Sequence, residues 1–190
     1  MKKHFLDNLM LHLNSISRLA AMENAGQTQK HTGKVINSIR YKTSRENQLL
    51  TVNEEIKAVE NFLDIFKMRF GDSLQYQMDI DTEALSCYIP HYTLMTFVEN
   101  ALYHAFETTE GTREFKISVK RTDNSLDIEI NDNGCGFEPE KSMHENSCNM
   151  LYGTILSTVK RLSAFFNSPE TVNIMSCPSK GTSVQIRIPI

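Results

Sequence analysis

The chain has 190 residues, is 40% hydrophobic and carries a net charge of −3 from 20 basic and 23 acidic side chains. That length suits one globular domain with a helical appendage, and the mixed charge, without a basic stripe, gives no footprint for nucleic acid. No apolar run approaches the ~20 residues of a membrane span, and Cys87, Cys135, Cys148 and Cys177 show no CxxC spacing of a zinc or redox motif.

Leu6, Leu9, Leu13, Ile16 and Ala20 recur at spacings of three and four, a stripe on one helix. The helix opens without a preceding cap, as expected of a piece of something longer. After a break at Gly26, a second helical pattern runs through Val35, Ile36, Ile39 and Tyr41. The pair predicts a helical hairpin over residues 1–48 that buries its second side in a four-helix bundle with another copy. Packing onto its own domain is the alternative.

Thr51 and Glu54 have the spacing of a capping box. The predicted helix after them presents Ile56, Val59, Phe62, Leu63 and Phe66 and stops near Gly71. The period then changes to two through Leu74, Tyr76, Met78 and Ile80, a strand. Pro90 opens a helix from about His91 to Phe106. Phe115–Val119 and Leu126–Ile130 alternate as strands, residues 138–150 have no period and read as a loop, and 151–166 are helical. Val172–Met175 and Ser183–Ile188 form a last strand pair. The expected fold is α+β: a helical hairpin, then residues 49–190 as a mixed sheet with helices on one face.

Three stretches could carry chemistry. In "INDNGCGF", Ile130–Phe137, a strand ends in an acid, an amide and two glycines. Gly134 and Gly136 allow positive φ and remove Cβ atoms that would hold a ligand away. Asp132 can accept a hydrogen bond from an exocyclic amine such as that of adenine, although an Asn-Gly turn explains the same letters. In "TLMTFVENALYHA", Thr93–Ala105, Asn100 lies among apolar residues and needs a partner if buried; a hydrated Mg²⁺ or a neighbouring backbone could supply it. In "SKGTSVQIRIP", Gly181 and Thr182 start a terminal strand, which alone is a hairpin turn.

In this order and at these separations, "FVENALYHA", "INDNGCGF" and "KGTSVQIRIP" resemble the ATP-binding (Bergerat, or GHKL) domain shared by histidine kinases, gyrase, Hsp90 and MutL. "HFLDNLMLHLNSIS" and "LLTVNEEIKAVENFLDIFKMRFGDSLQYQMDID" narrow the resemblance to LytS-like sensor histidine kinases. It implies His4 as phospho-acceptor, Asn100 as the Mg²⁺ ligand, and Glu99 and His104 at the phosphate end, Glu99 in a catalytic role. It implies Asp132 on the adenine amine, with Gly134 and Gly136 shaping that pocket. Gly181 and Thr182 would close its far side, residues 138–152 would be a lid over ATP, and Gly153 would be the lid's remaining phosphate-facing glycine.

The implied chemistry is transfer of the γ-phosphoryl of ATP to His4 and then to a response regulator, of LytTR type, by a homodimer joined through residues 1–48. The parent protein would be a bacterial membrane sensor, with this chain cytoplasmic and its membrane segments outside it. Lys3, Asp7, Tyr103 and Ser157 stand where the family has proline, phenylalanine, lysine and asparagine. These departures keep a second reading open, a nucleotide-binding scaffold of the same fold with weak or no catalysis.

Overall fold

The computed structural model describes residues 2–44, 48–106, 109, 111–138, 149–167 and 171–190. Helices α1 (Lys2–Met22) and α2 (Gly26–Ser44) form the hairpin expected from the two apolar stripes. At 100° per residue, the half-buried Leu6, Leu9 and Leu13 share a face with buried Ala20. Ile16 departs from the predicted stripe. It lies at the stripe's edge and is 47% exposed, on a second apolar face with Phe5, Leu11, Leu19 and Met22, all exposed.

Strand β1 (Leu49–Thr51) leads directly into α3 (Val52–Phe70). The capping box is complete: the Thr51 hydroxyl accepts the Glu54 N–H at 3.2 Å and the Glu54 carboxylate accepts the Thr51 N–H at 3.0 Å. α3 ends where Gly71 turns to φ 58°. Strand β2 (Leu74–Ile80) follows, then β3 (Tyr88–Pro90), which pairs antiparallel with β1. Helix α4 (Thr93–Asn100) continues as a π-helical turn over Ala101–Ala105, closed by the Phe106 N–H on the Ala101 carbonyl at 2.9 Å.

Strands β4 (Arg113–Arg121) and β5 (Ser125–Asp132), helix α5 (Asn149–Phe166), and strands β6 (Val172–Cys177) and β7 (Gly181–Pro189) complete the chain. The main sheet has the order β2-β4-β5-β7-β6, with β2 parallel to β4 and the other pairs antiparallel. Period-two alternation decides which face is covered. Phe115, Ile117 and Val119, Leu126, Ile128 and Ile130, and Val184, Ile186 and Ile188 point into the core, while Lys116, Glu129, Gln185 and Arg187 face out. α3, α4 and α5 bring Val59, Leu63, Leu94, Val98 and Leu162 into the same apolar cluster. Helices therefore lie on one face of a mixed sheet.

α2 lies against α3. Lys34 pairs with Asp64, and the Asn61 amide donates to the Lys34 carbonyl at 2.9 Å. Among the described residues, no helix is long and apolar enough to cross a membrane.

Candidate functional site: a nucleotide pocket between α4 and the sheet

At the end of β5, each residue after Ile130 that carries the motif has its own partner. Asp132 closes the strand, and its Oδ1 accepts the Gly134 N–H at 2.9 Å. Asn133 clips the loop to β4: its side-chain oxygen accepts the Glu114 N–H at 2.8 Å, and its amide donates to the Thr112 carbonyl at 2.9 Å. Gly134 lies so close to the π turn that a Cβ there would come within 2.4 Å of the Ala105 Cβ. The next residue bonds the same turn, Cys135 N–H to the Ala105 carbonyl at 2.9 Å.

Gly136, at φ +60°, passes directly over the β6–β7 hairpin. A Cβ would fall 2.0 Å from the Cys177 carbonyl oxygen. Gly181, at φ +83°, leaves the same kind of gap: its Cβ would meet the Asp132 carbonyl oxygen at 1.9 Å. The two glycines thus let the loop and the hairpin interlock. The Ser179 N–H on the Cys135 carbonyl and the Phe137 N–H on Ser176 Oγ, at 2.9 Å, hold the contact. Thr182 Oγ1 lies 3.0 Å from the same Ser176 Oγ.

Between these elements and α4 is a pocket lined mostly by apolar side chains such as Phe97, Ile130 and Ile155, with Asn100, Asp132 and Thr182 as polar groups. A largely apolar cleft with a few convergent polar groups is the usual form of a small-molecule site. Burial pushes the Asp132 carboxyl up to about 6, against the opposing pull of the Gly134 and Thr182 backbone N–H groups. A half-buried carboxylate held by two backbone donors keeps its remaining lone pairs for a ligand donor.

Asn100 reaches the cavity from the last turn of α4, and its side-chain Nδ2 is buried without a partner. An orphan amide costs on the order of 1–3 kcal/mol, so a group that satisfied it would be bound with that much in hand. Turning the amide by 180° presents its oxygen in the same place. No group of three or more His, Cys, Asp or Glu side chains is placed to hold a metal among the described residues. One amide oxygen suits instead a Mg²⁺ ion that takes its other ligands from phosphate and water. The residues present therefore fit both an adenine and a phosphate-bound Mg²⁺.

The expected site residues fall into three sets. Asn100, Asp132, Gly136 and Thr182 line the cavity together. Gly134 and Gly181 lie just behind it and let its walls approach. Glu99 and His104 lie beyond this lining: Glu99 pairs with Lys42 of α2 at 2.9 Å, and His104 is half-buried on the π turn. His4 is exposed on α1. Gly153 belongs to α5, which begins at Asn149 rather than near residue 151. Residues 139–148, most of the expected lid, and with them Cys148, lie outside the described residues. Tyr103, at the family's lysine position, packs edge-on against Phe62 and Phe66 of α3.

One feature of the site lies outside the three motifs. The first turn of α4 is capped by Glu55 of α3, whose carboxylate accepts the Tyr92 N–H at 2.7 Å and the Leu94 N–H at 3.1 Å. Glu55 is in phase with the apolar residues of its helix, three after Val52 and four before Val59, which marks it as a buried acid needing donors.

Comparison with known proteins bears on the family and the fold. Residues 1–74 match the family model described as histidine kinase, and residues 90–190 match that of the histidine kinase-, DNA gyrase B- and HSP90-like ATPases. Sensor histidine kinase YesM of Bacillus subtilis is 28% identical over 190 residues, covering 98% of this chain and 31% of YesM. Sensor protein LytS of Oceanobacillus iheyensis is 27% identical, covering 98% and 32%. The chain spans about a third of the length of these two curated relatives. Among solved structures, the histidine kinase domain of the blue-light activated kinase of Erythrobacter litoralis aligns with a TM-score of 0.51 at 13% identity, over 99% of this chain and 94% of that one. The catalytic domain of histidine kinase ThkA aligns at 0.54 and 16%, over 76% and 97%; at such identities these two likenesses concern the fold. The chain belongs to the family of histidine kinase-, DNA gyrase B- and HSP90-like ATPases, its residues 1–74 match the histidine kinase model ahead of that domain, and sensor histidine kinases, LytS among them, are its relatives.

Proposed function

We propose that this chain is the kinase core of a two-component sensor, with residues 1–48 as dimerising phospho-acceptor hairpin and residues 49–190 as the ATP-binding unit. The observation that carries the reading is the convergence of a half-buried acceptor, Asp132, and an unpartnered amide, Asn100, on one apolar cavity. Asp132 takes the adenine amine, Thr182 closes the adenine end, and Asn100 holds Mg²⁺ toward the phosphates. Bound Mg²⁺ offsets the charge that spreads over the transferred phosphoryl group. His4 supplies the imidazole nitrogen that receives the group from ATP as the bond to ADP breaks. Glu99 takes the proton the imidazole sheds, once its pairing with Lys42 is released. An aspartate on a response regulator, of LytTR type, receives the phosphoryl group next. The parent protein is a bacterial membrane sensor, and this chain is its cytoplasmic part.

Incubation with γ-labelled ATP and Mg²⁺ tests this. Acid-labile label is expected on the parent protein and on neither His4→Gln nor Asn100→Ala. Asn100→Ala also loses nucleotide binding, whereas His4→Gln keeps it. A nucleotide-binding scaffold without transfer is the second reading, favoured by Tyr103, which stands where the resembled family has a lysine and packs edge-on against Phe62 and Phe66 of α3. Binding without label would support it.

The exposed face of Phe5, Leu11, Ile16, Leu19 and Met22 supports dimerisation through the hairpin. Contiguous exposed apolar side chains on one helix are costly in water and mark an interaction surface. Sedimentation should give a mass near twice 21.7 kDa. The double change Ile16→Glu with Leu19→Glu should bring it to that of the monomer while leaving nucleotide binding intact.

A further inference from the structure

The end of α2 is docked on α4 at two points. Tyr41 donates its hydroxyl to the Glu55 carboxylate, and its ring stacks on Tyr92 at 5.8 Å and meets His91 edge-on at 4.7 Å. The Tyr41 carbonyl lies 3.0 Å from His91 Nε2, and Arg161 of α5 donates to the His91 carbonyl at 2.8 Å. One residue on, Lys42 pairs with Glu99 at the far end of α4. Glu55 lies at the centre of this contact, 0% exposed.

We infer that Glu55 is a positioning residue for the nucleotide site: its buried carboxylate fixes the first turn of α4 and, through Tyr41, makes the placement of Asn100 depend on how the hairpin is seated. The inference rests on the nucleotide site proposed above. Tyr92, the N-cap residue of α4, whose side chain makes no capping bond, is in the left-handed region at φ +69°. A tyrosine holds that conformation only when its surroundings over-determine it. Glu55 supplies the determinant, since it accepts the N–H groups of Tyr92 and of the first helical turn, Leu94 and Met95 among them. α4 is only eight residues long before its π turn, so Asn100 is within two turns of the clamp. A shift at the first turn therefore reaches the Asn100 amide without being absorbed along the helix. The donors to Glu55 come from two elements, and only Tyr41 belongs to the hairpin. Displacing α2 removes that donor and the ring stacked on Tyr92 together. Signals that move the hairpin thus have a direct route to the wall of the pocket.

The alternative is that Glu55 serves stability alone. Glu55→Gln and Tyr41→Phe in the whole chain separate the two, beside Val59→Ala, which removes two methyl groups from the buried side of the same helix without touching α4's cap. The probe is a fluorescent ADP analogue, titrated at a temperature where every variant is folded. Glu55→Gln should weaken binding about tenfold and Tyr41→Phe about threefold, because a small displacement of a positioned group costs affinity steeply. Val59→Ala should lower Tm comparably and leave the dissociation constant unchanged. Wild-type affinity in both Glu55→Gln and Tyr41→Phe, or equal weakening in Val59→Ala, overturns the inference. Should Glu55→Gln fail to fold, Tyr41→Phe against Val59→Ala decides on the same criterion. A parent protein that binds no probe overturns the nucleotide reading instead. Amide exchange over residues 92–100 then decides the positioning role: faster exchange in Tyr41→Phe than in Val59→Ala supports it, and equal exchange overturns it.

Discussion

Asp132→Asn should abolish adenine recognition and leave the fold intact. The substitution is isosteric, so β5 and the turn after it keep their shape, but it changes the supply of acceptors. The carboxylate now serves the Gly134 and Thr182 N–H groups and has lone pairs left over. Asparagine offers one oxygen and turns two N–H donors toward the same cluster. Either a backbone donor or the adenine amine loses its partner, at roughly 1.5–3 kcal/mol for a bond to a charged group. That loss, together with the repulsion between the adenine amine and the asparagine's own N–H donors, weakens binding by about a hundredfold or more. A titration of parent and variant with the fluorescent ADP analogue, beside a thermal melt of each, measures it. The apo variant should melt no lower than the parent at neutral pH, because it no longer buries a charge.

The pH dependence follows with a definite sign. Burial raises the Asp132 carboxyl to about 6 from its ordinary 3.8, so the native state binds a proton more tightly than the unfolded chain does. The apo protein should then lose stability as pH rises from about 4 to about 6 and be flat above that. Adenine runs the opposite way, because its amine needs the ionised acceptor. Affinity for adenosine, which carries no titrating phosphate, should be constant above pH 7 and fall about tenfold between pH 6.5 and 5. Asp132→Asn should abolish the stability segment.

Much of this site is legible in the chain because its signals are local. Period-two alternation gives β2, β4, β5, β6 and β7 to within about two residues at each end, and the Thr51–Glu54 box and Gly71 bracket α3. The letters Asp132, Gly136 and Thr182 already state a need for a fixed acceptor and for room. β1 and β3 escape such a reading because three residues carry no period, and they pair only with each other across the length of α3 and β2. The π turn escapes because its residues, Ala101–Ala105, continue the α4 pattern; Gly134 needs close approach to Ala105, and that contact exists only once β5 and α4 are side by side. The docking of Tyr41 and Lys42 on Glu55 and Glu99 is a property of the tertiary fold, between residues far apart in sequence, and charged pairs at such separations leave no spacing to read.

Gly136→Ala should be, with Gly181→Ala, among the most damaging single methyls in the molecule's nucleotide half. Its Cβ would lie 2.0 Å from the Cys177 oxygen, 2.8 Å from the Cys177 carbonyl carbon and 3.0 Å from the Gly181 oxygen, all backbone atoms that cannot swing aside. The left-handed conformation adds about 1 kcal/mol for any residue with a side chain. Relief requires the loop to lift off the β6–β7 hairpin, which breaks the Phe137 bond to Ser176 and the Ser179 bond to Cys135. Phe137 and Cys135 line the cavity, so the same movement opens its wall. The combined cost should be about 3 kcal/mol or more, read as a fall in the urea midpoint, together with loss of the fluorescent ADP analogue. Gly111→Ala separates strain from collision. Gly111 has φ +81° but nothing within 4 Å of where a methyl would stand, so that variant should lose only the ~1 kcal/mol of the left-handed conformation and bind nucleotide as the parent does. Equal effects at the two glycines would mean that backbone strain, not the interlock of loop and hairpin, keeps the pocket in shape.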